Sequence, residues 1–337
     1  VIGGGHGEIV SDLVEGGASL ATEDKNGWTP LHVAALYGET EVVQLLLLKG
    51  AEKDAFDNKE RTPLYLATFR GQVAAALAPL AADADVSLRC GQYKASVMHL
   101  AAQEGHMEIL EAIIEHGADV EAVDKSRAPQ TALHVAVRCN KAKAIDVLVR
   151  AGANIEARDP AGNTPLHTAA MYIRAEATDV LVEAGANIEV RDNAGRTPLH
   201  IASLNLSHET SISLLKHGVT VNARSDLHRT PLMHAASEAG TQGAAEVVGS
   251  LLRAGADETL VDNYGQNASD VMGEGVEEGD VERVRELLAN APVDRAWRRR
   301  GYLVLCRAHP NRVQQSQVIS GTRHAATARM TGSRAKR

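Results

Sequence analysis

The chain has 337 residues, 44% apolar but with only ten aromatic side chains, and 35 Lys+Arg against 43 Asp+Glu give a formal net charge of −8. Its longest charge-free apolar run, about ten residues from Val73 to Ala82, falls well short of the ~18 that a bilayer span needs, and the opening Val1 to Glu8 does not read as a secretory signal. Three scattered cysteines (Cys90, Cys139 and Cys306) without a CxxC pair argue against a disulfide scaffold and a thiolate metal site, and point to a reducing compartment.

In chain order, residues 1–23 read as a partial unit. Gly5-His6-Gly7-Glu8-Ile9-Val10 matches Gly105-His106-Met107-Glu108-Ile109-Leu110, and Gly17-Ala18 matches Gly117-Ala118. With no initiator Met and no first helix, this opening is expected to be a fragment of a longer array, with an exposed apolar face that favours weak self-association. Residues 24–261 then hold seven repeated units. Thr-Pro-Leu-His stands at 29–32, 164–167 and 197–200, with variants starting at Thr62, Ser96, Thr131 and Thr230, so successive spacings are 33, 34, 35, 33, 33 and 33.

The physics of one unit is legible in residues 24–56. Asp24-Lys25-Asn26-Gly27 is turn chemistry. Thr29 is a helix N-cap, and Pro30 takes the first helical position, where its missing N–H costs nothing. Leu31, Ala34 and Ala35 predict a short first helix of small residues ended by Gly38. Val42, Val43, Leu45, Leu46 and Leu47 predict a second, greasier helix ended by Gly50. A single unit cannot cover its own apolar face, so stacked neighbours must. Pro79 stands where Leu46 stands in the first unit, and predicts a kinked or shortened helix in the second. Met233 replaces the motif histidine, and about four extra residues follow around Gly240 to Gly243. Residues 262–291 read as a degenerate C-terminal cap, with Asn267-Ala268-Ser269 in place of Thr-Pro-Leu and a charged last helix from Asp280 to Asn290.

Residues 292–337 are a different material. They carry eleven Lys/Arg and one acid, Asp294, which leaves twenty-four bases against forty-two acids in residues 1–291. Trp297 to Cys306 predicts a short amphipathic helix, and residues 311–337 have a disorder-prone composition. Such a basic tail suits weak contact with nucleic acid or another acidic surface.

The period and the Thr-Pro-Leu-His motif resemble the ankyrin repeat family over roughly residues 1–291. The resemblance implies an all-α solenoid of stacked helix-turn-helix units with β-hairpin loops, here followed by a basic, largely disordered tail. It also implies a non-enzymatic interaction scaffold, in the cytoplasm or nucleus, that binds a protein partner through its concave surface. In such arrays the partner faces the hairpin tips and the open side of each first helix. The corresponding residues are Trp28, Leu36, Tyr37, Arg61, Phe69, Arg70, Arg138, Met171, Tyr172, Arg196 and Leu204. Trp, Tyr and Arg dominate binding hot spots. Trp28 and Phe69 are expected to serve binding rather than stacking. Thr29, His32, His99, His134, Thr164, His167, Thr197 and His200 are expected to hold the scaffold. Two other roles remain open: the targeting part of a larger regulatory protein of the ubiquitin-ligase or kinase type, and a nucleic-acid-associated factor acting through the tail.

Other chemistry is weaker. The five recurring histidines would stand about 10 Å apart, too far to share a metal at ~2 Å bonds. Gly3-Gly4-Gly5-His6-Gly7 lacks the Gly-Lys-Ser/Thr of a phosphate loop, and no HExxH or GxSxG occurs. The carboxylates Glu277, Glu278 and Asp280 have no convergent partner. Asn222 matches a position that oxygenases hydroxylate in some ankyrin proteins, but reads better as a turn residue. No cofactor or metal is expected.

Overall fold

The computed structural model describes residues 7–92, 94–126, 128–272 and 280–292. The helix expected at 297–306, the rest of the tail and the Gly3–Gly5 run lie outside the described residues. The helices, in order, are α1 (Gly7–Glu15), α2 (Pro30–Tyr37), α3 (Thr40–Leu48), α4 (Pro63–Arg70), α5 (Val73–Ala81), α6 (Val97–Glu104), α7 (Met107–Glu115) and α8 (Ala132–Arg138). They continue as α9 (Ala142–Arg150), α10 (Pro165–Met171), α11 (Ala175–Glu183), α12 (Pro198–Leu204), α13 (His208–Lys216), α14 (Pro231–Ser237) and α15 (Ala244–Arg253). A 3-10 turn at Asp270–Met272 and a closing helix over 281–292 follow.

Most even-numbered helices open as the sequence predicts, while α6 starts at Val97 with no cap bond from the Ser96 side chain. The Thr62 hydroxyl accepts the Tyr65 amide at 3.2 Å, and Pro30, Pro63, Pro165, Pro198 and Pro231 occupy the first turn. Gly38 ends α2 with φ 76°, in the left-handed region that glycine enters without steric cost. At the same place α8, α10 and α12 are followed by Asn140, Ile173 and Leu206, with φ of 53°, 60° and 51°. A β-branched residue such as Ile173 is strained there.

The stack is built helix on like helix: first helices pack on first helices, and second on second. The first-helix layer is lined by fully covered alanines such as Ala34, Ala67, Ala101 and Ala136, which let the axes approach closely. In the second layer Leu46, Ile113, Leu148, Leu181 and Leu214 form a buried column one repeat apart. Pro79 occupies the same column. The expected shortening does not occur, because α5 keeps the nine residues of its neighbours with Pro79 buried in its last turn. There the missing N–H forfeits one bond, to the Ala75 carbonyl, too near the helix end to stop it.

Among the described residues the β-hairpins reduce to tight turns, with only isolated bridges at Cys90–Ala95 and Val123–Thr131. Near the C-terminal end the Asp280 carboxylate accepts the Gly243 and Ala245 amides at 2.8 and 3.1 Å, which ties the closing helix to the start of α15. That helix buries Val281, Val284 and Leu288 and exposes Glu282, Arg283, Arg285 and Glu286, as a cap must.

Candidate partner-binding face

Most hairpins are organised by one aspartate, whose place Cys90 and Ser225 take in two others. Asp57 Oδ1 accepts the Lys59 and Arg61 amides at 2.9 and 2.8 Å; Asp192 Oδ1 accepts those of Ala194 and Arg196 at 2.9 and 2.8 Å; Asp262 Oδ1 accepts those of Tyr264 and Gln266 at 2.8 and 3.1 Å. Oδ2 of each is left for an arginine: Arg61 Nε at 2.8 Å on Asp57, Arg196 Nε at 2.7 Å on Asp192, and Arg229 Nε at 3.2 Å on Asp262. Burial alone would raise the carboxyl pKa of Asp57, but the bonds from Arg61 and Trp28 overcome it and hold the group below the ordinary range. The Trp28 indole N–H donates to Asp57 Oδ2 at 2.9 Å, and the Arg61 guanidinium lies over the Trp28 ring, 5.8 Å from its centroid.

This geometry corrects the expectation that Trp28 serves binding and is dispensable to stacking. Trp28 is half-buried and bonds one repeat to the next. The half-buried Arg61 and Arg196 are likewise folded back onto the fully covered carboxylates of Asp57 and Asp192. Leu36 is corrected too. It is 8% exposed, so its side chain lies within the packed array and not on a free face.

The motif histidines lie one layer beneath the hairpins. In His32, Nε2 donates to the Arg61 carbonyl of the following repeat at 3.0 Å, while Nδ1 accepts from the Thr29 amide and hydroxyl at 3.1 and 2.9 Å. His99, His134, His167 and His200 repeat the link to Gln130, Asn163, Arg196 and Arg229 at 3.0, 3.2, 2.9 and 3.0 Å. Thr164 and Thr197 play the part of Thr29 at 3.0 and 2.9 Å. With Nε2 donating, Nδ1 must be bare, and a proton there would point at the threonine N–H. Burial lowers the pKa of all five, that of His200 to about 4. His234, with its ring 5.7 Å from that of His200, is lowered to about 3 by burial and by that neighbour. Where Met233 replaces the histidine, its sulfur accepts the Thr230 amide at 3.4 Å. Among the described residues no group of three or more His, Cys, Asp or Glu side chains could hold a metal ion.

On the open face of the first helices Tyr37 is 56% exposed, Phe69 46% and Tyr172 41%. Arg70 is exposed beside Phe69, and Arg138, Met171 and Leu204 are half-buried. Sequence reasoning passed over Ile173, 53% exposed next to Tyr172, because the glycine of other repeats marks that place as a helix end. It also passed over Arg174, which reaches back across the preceding repeat so that its Nε donates to the Arg138 carbonyl at 2.9 Å. Phe56, Leu227 and Tyr264 add exposed apolar surface on the hairpin side. Asn222 is engaged in the scaffold: Oδ1 accepts the Asp257 amide at 2.8 Å, and Nδ2 donates to the Gly255 carbonyl at 3.2 Å.

The sequence matches the family of ankyrin repeats (3 copies) over residues 1–90, 77–159, 98–192 and 185–262. The chain belongs to that family. It is 34% identical over 139 residues to the transient receptor potential cation channel subfamily A member 1 homolog of Caenorhabditis elegans, covering 41% of this chain and 11% of that protein. It is 35% identical over 150 residues to the human neurogenic locus notch homolog protein 1, covering 43% and 6%. It is 33% identical over 146 residues to the rat nuclear factor NF-kappa-B p105 subunit, covering 41% and 15%. The chain thus spans a small fraction of each relative's length. The solved human ASB11 ankyrin repeat domain superposes with TM-score 0.57 at 25% identity, over 67% of this chain and 98% of that one. Among the described residues no helix is long and apolar enough to cross a membrane.

Proposed function

We propose that the chain is a non-enzymatic protein-interaction scaffold that engages its partner through the first-helix face. Ankyrin repeats are generally protein–protein interaction modules. The observation that carries the finer reading is the pair of apolar clusters that the stack does not bury, Tyr37 with Phe69 in the first two complete repeats and Tyr172 with Ile173 in the fifth. Large apolar groups clustered on a surface mark an interface, and a pre-ordered array loses little conformational entropy on binding. The test compares proteins captured by the full chain with those captured by a Phe69→Ser, Tyr172→Ser variant of unchanged thermal stability. Partners lost from the variant support the reading; an identical set of captured proteins refutes it. The arginine-rich tail is proposed as a separate, salt-sensitive contact for nucleic acid or an acidic surface, in cytoplasm or nucleus, because its charge opposes that of the repeats.

A further inference from the structure

Two groups of cations in this molecule differ in their partners. At the hairpin tips Arg61, Arg196 and Arg229 each hold an aspartate. On the first-helix face Arg70, Arg138, Lys141 and Arg174 do not: none of these four forms an ion pair within the described residues. The Nε of Arg138 is covered and has no hydrogen-bond partner. Lys141 extends across Gly105 of the preceding repeat, where an added Cβ would stand 3.0 Å from its Cδ. The nearby carboxylates are otherwise engaged: Glu104 accepts the Gln103 amide at 2.9 Å, and Glu176 accepts Asn140 Nδ2 at 3.3 Å. The repeats carry forty-two acids against twenty-four bases over residues 1–291, so carboxylates are plentiful, yet none of these four cations is paired with one.

These cations sit beside the exposed apolar groups, in two places. Tyr37, Phe69 and Arg70 belong to the first two complete repeats; Arg138, Tyr172 and Arg174 belong to the fourth and fifth. The third repeat, between them, offers Gln103, Glu104 and His106, with no large exposed apolar side chain on its helix face. At ~10 Å per repeat the centres of the two clusters lie roughly 30 Å apart. An extended segment of about ten residues covers that distance at ~3.3 Å each.

We infer that this face takes one elongated acidic peptide segment with two apolar–carboxylate elements, one seated on Tyr37, Phe69 and Arg70 and the other on Arg138, Tyr172 and Arg174. The partner's carboxylates supply the ion-pair partners that these guanidiniums lack within the protein, and its apolar side chains cover the rings. This rests on the interaction-scaffold reading and adds the chemistry and spacing of what is bound.

The experiment selects displayed random peptides of about twenty residues on the full chain at low salt. Enriched peptides are then titrated by fluorescence anisotropy against two variants, Tyr37→Ser with Phe69→Ser and Arg138→Glu with Arg174→Glu. Thermal melts accompany each, and Arg138→Gln with Arg174→Gln stands in should the charge reversal unfold. Expected are acidic peptides with separated aromatic or aliphatic residues, whose Kd rises tenfold or more in either variant and rises further with salt. Enrichment of neutral or basic peptides, or sensitivity to only one variant pair, overturns the bipartite acidic inference while leaving the scaffold reading standing. Peptides indifferent to both pairs, or no enrichment at all, overturn the inference, and indifference refutes the first-helix face as well.

Discussion

Acidifying the solution should loosen the repeats through the histidines that join them, and His200 allows the size of the effect to be worked out. Its ring is fully covered, Nε2 donates to the Arg229 carbonyl, and its folded pKa of about 4 lies below the ordinary 6.5. A depressed histidine pKa means that the folded state prefers the neutral ring. Its contribution is complete above pH 6.5 and is lost as pH falls from there towards 4. At pH 5 the unfolded chain is almost fully protonated at this site and the folded one hardly at all, a difference of about 2 kcal/mol on the scale of 1.36 kcal/mol per pKa unit. The perturbation is His200→Met, the residue already present at the equivalent Met233. Urea unfolding followed by circular dichroism at pH 7.5 and pH 5 should show the wild type losing about 2 kcal/mol more than the variant between the two pH values. The other four ladder histidines add losses of the same sign to both proteins and cancel, and both proteins are made in a His234→Ala background because His200 helps to lower the His234 pKa. An equal loss in wild type and variant would refute the assignment of His200 as a neutral inter-repeat tie.

Two further outcomes follow from single side chains. Ile173 holds φ 60° with half of its surface exposed, so Ile173→Gly should stabilise the chain by about 1 kcal/mol in urea unfolding; unchanged or lower stability would show that the side chain's contacts outweigh the strain. Trp28→Phe keeps the ring but deletes the donor on Asp57, and should cost about 1 kcal/mol or more of stability; a variant that melts with the wild type would return Trp28 to the role of a free surface anchor.

Much of this architecture is written in the sequence because it is repeated. A threonine or serine cap at intervals of 33 to 35, most often followed by proline and by a histidine three residues on, and a glycine after most helices are local instructions. Each is satisfied within one unit or against an identical neighbour, so the period alone determines caps, helix order and the stack. The occupants of the open face are a different matter. Leu36 and Phe69 hold the same place in consecutive units, yet one is covered and the other exposed. Arg61 and Arg138 look equally available as letters, yet only Arg61 has a carboxylate to turn to. Trp28 reads as a tip anchor until Asp57, twenty-nine residues away, is seen to take its proton donor. The repeat pattern fixes where a side chain starts. Whether it ends in solvent, in an ion pair or under a neighbour depends on residues about one repeat away, and only the tertiary contact between repeats decides that.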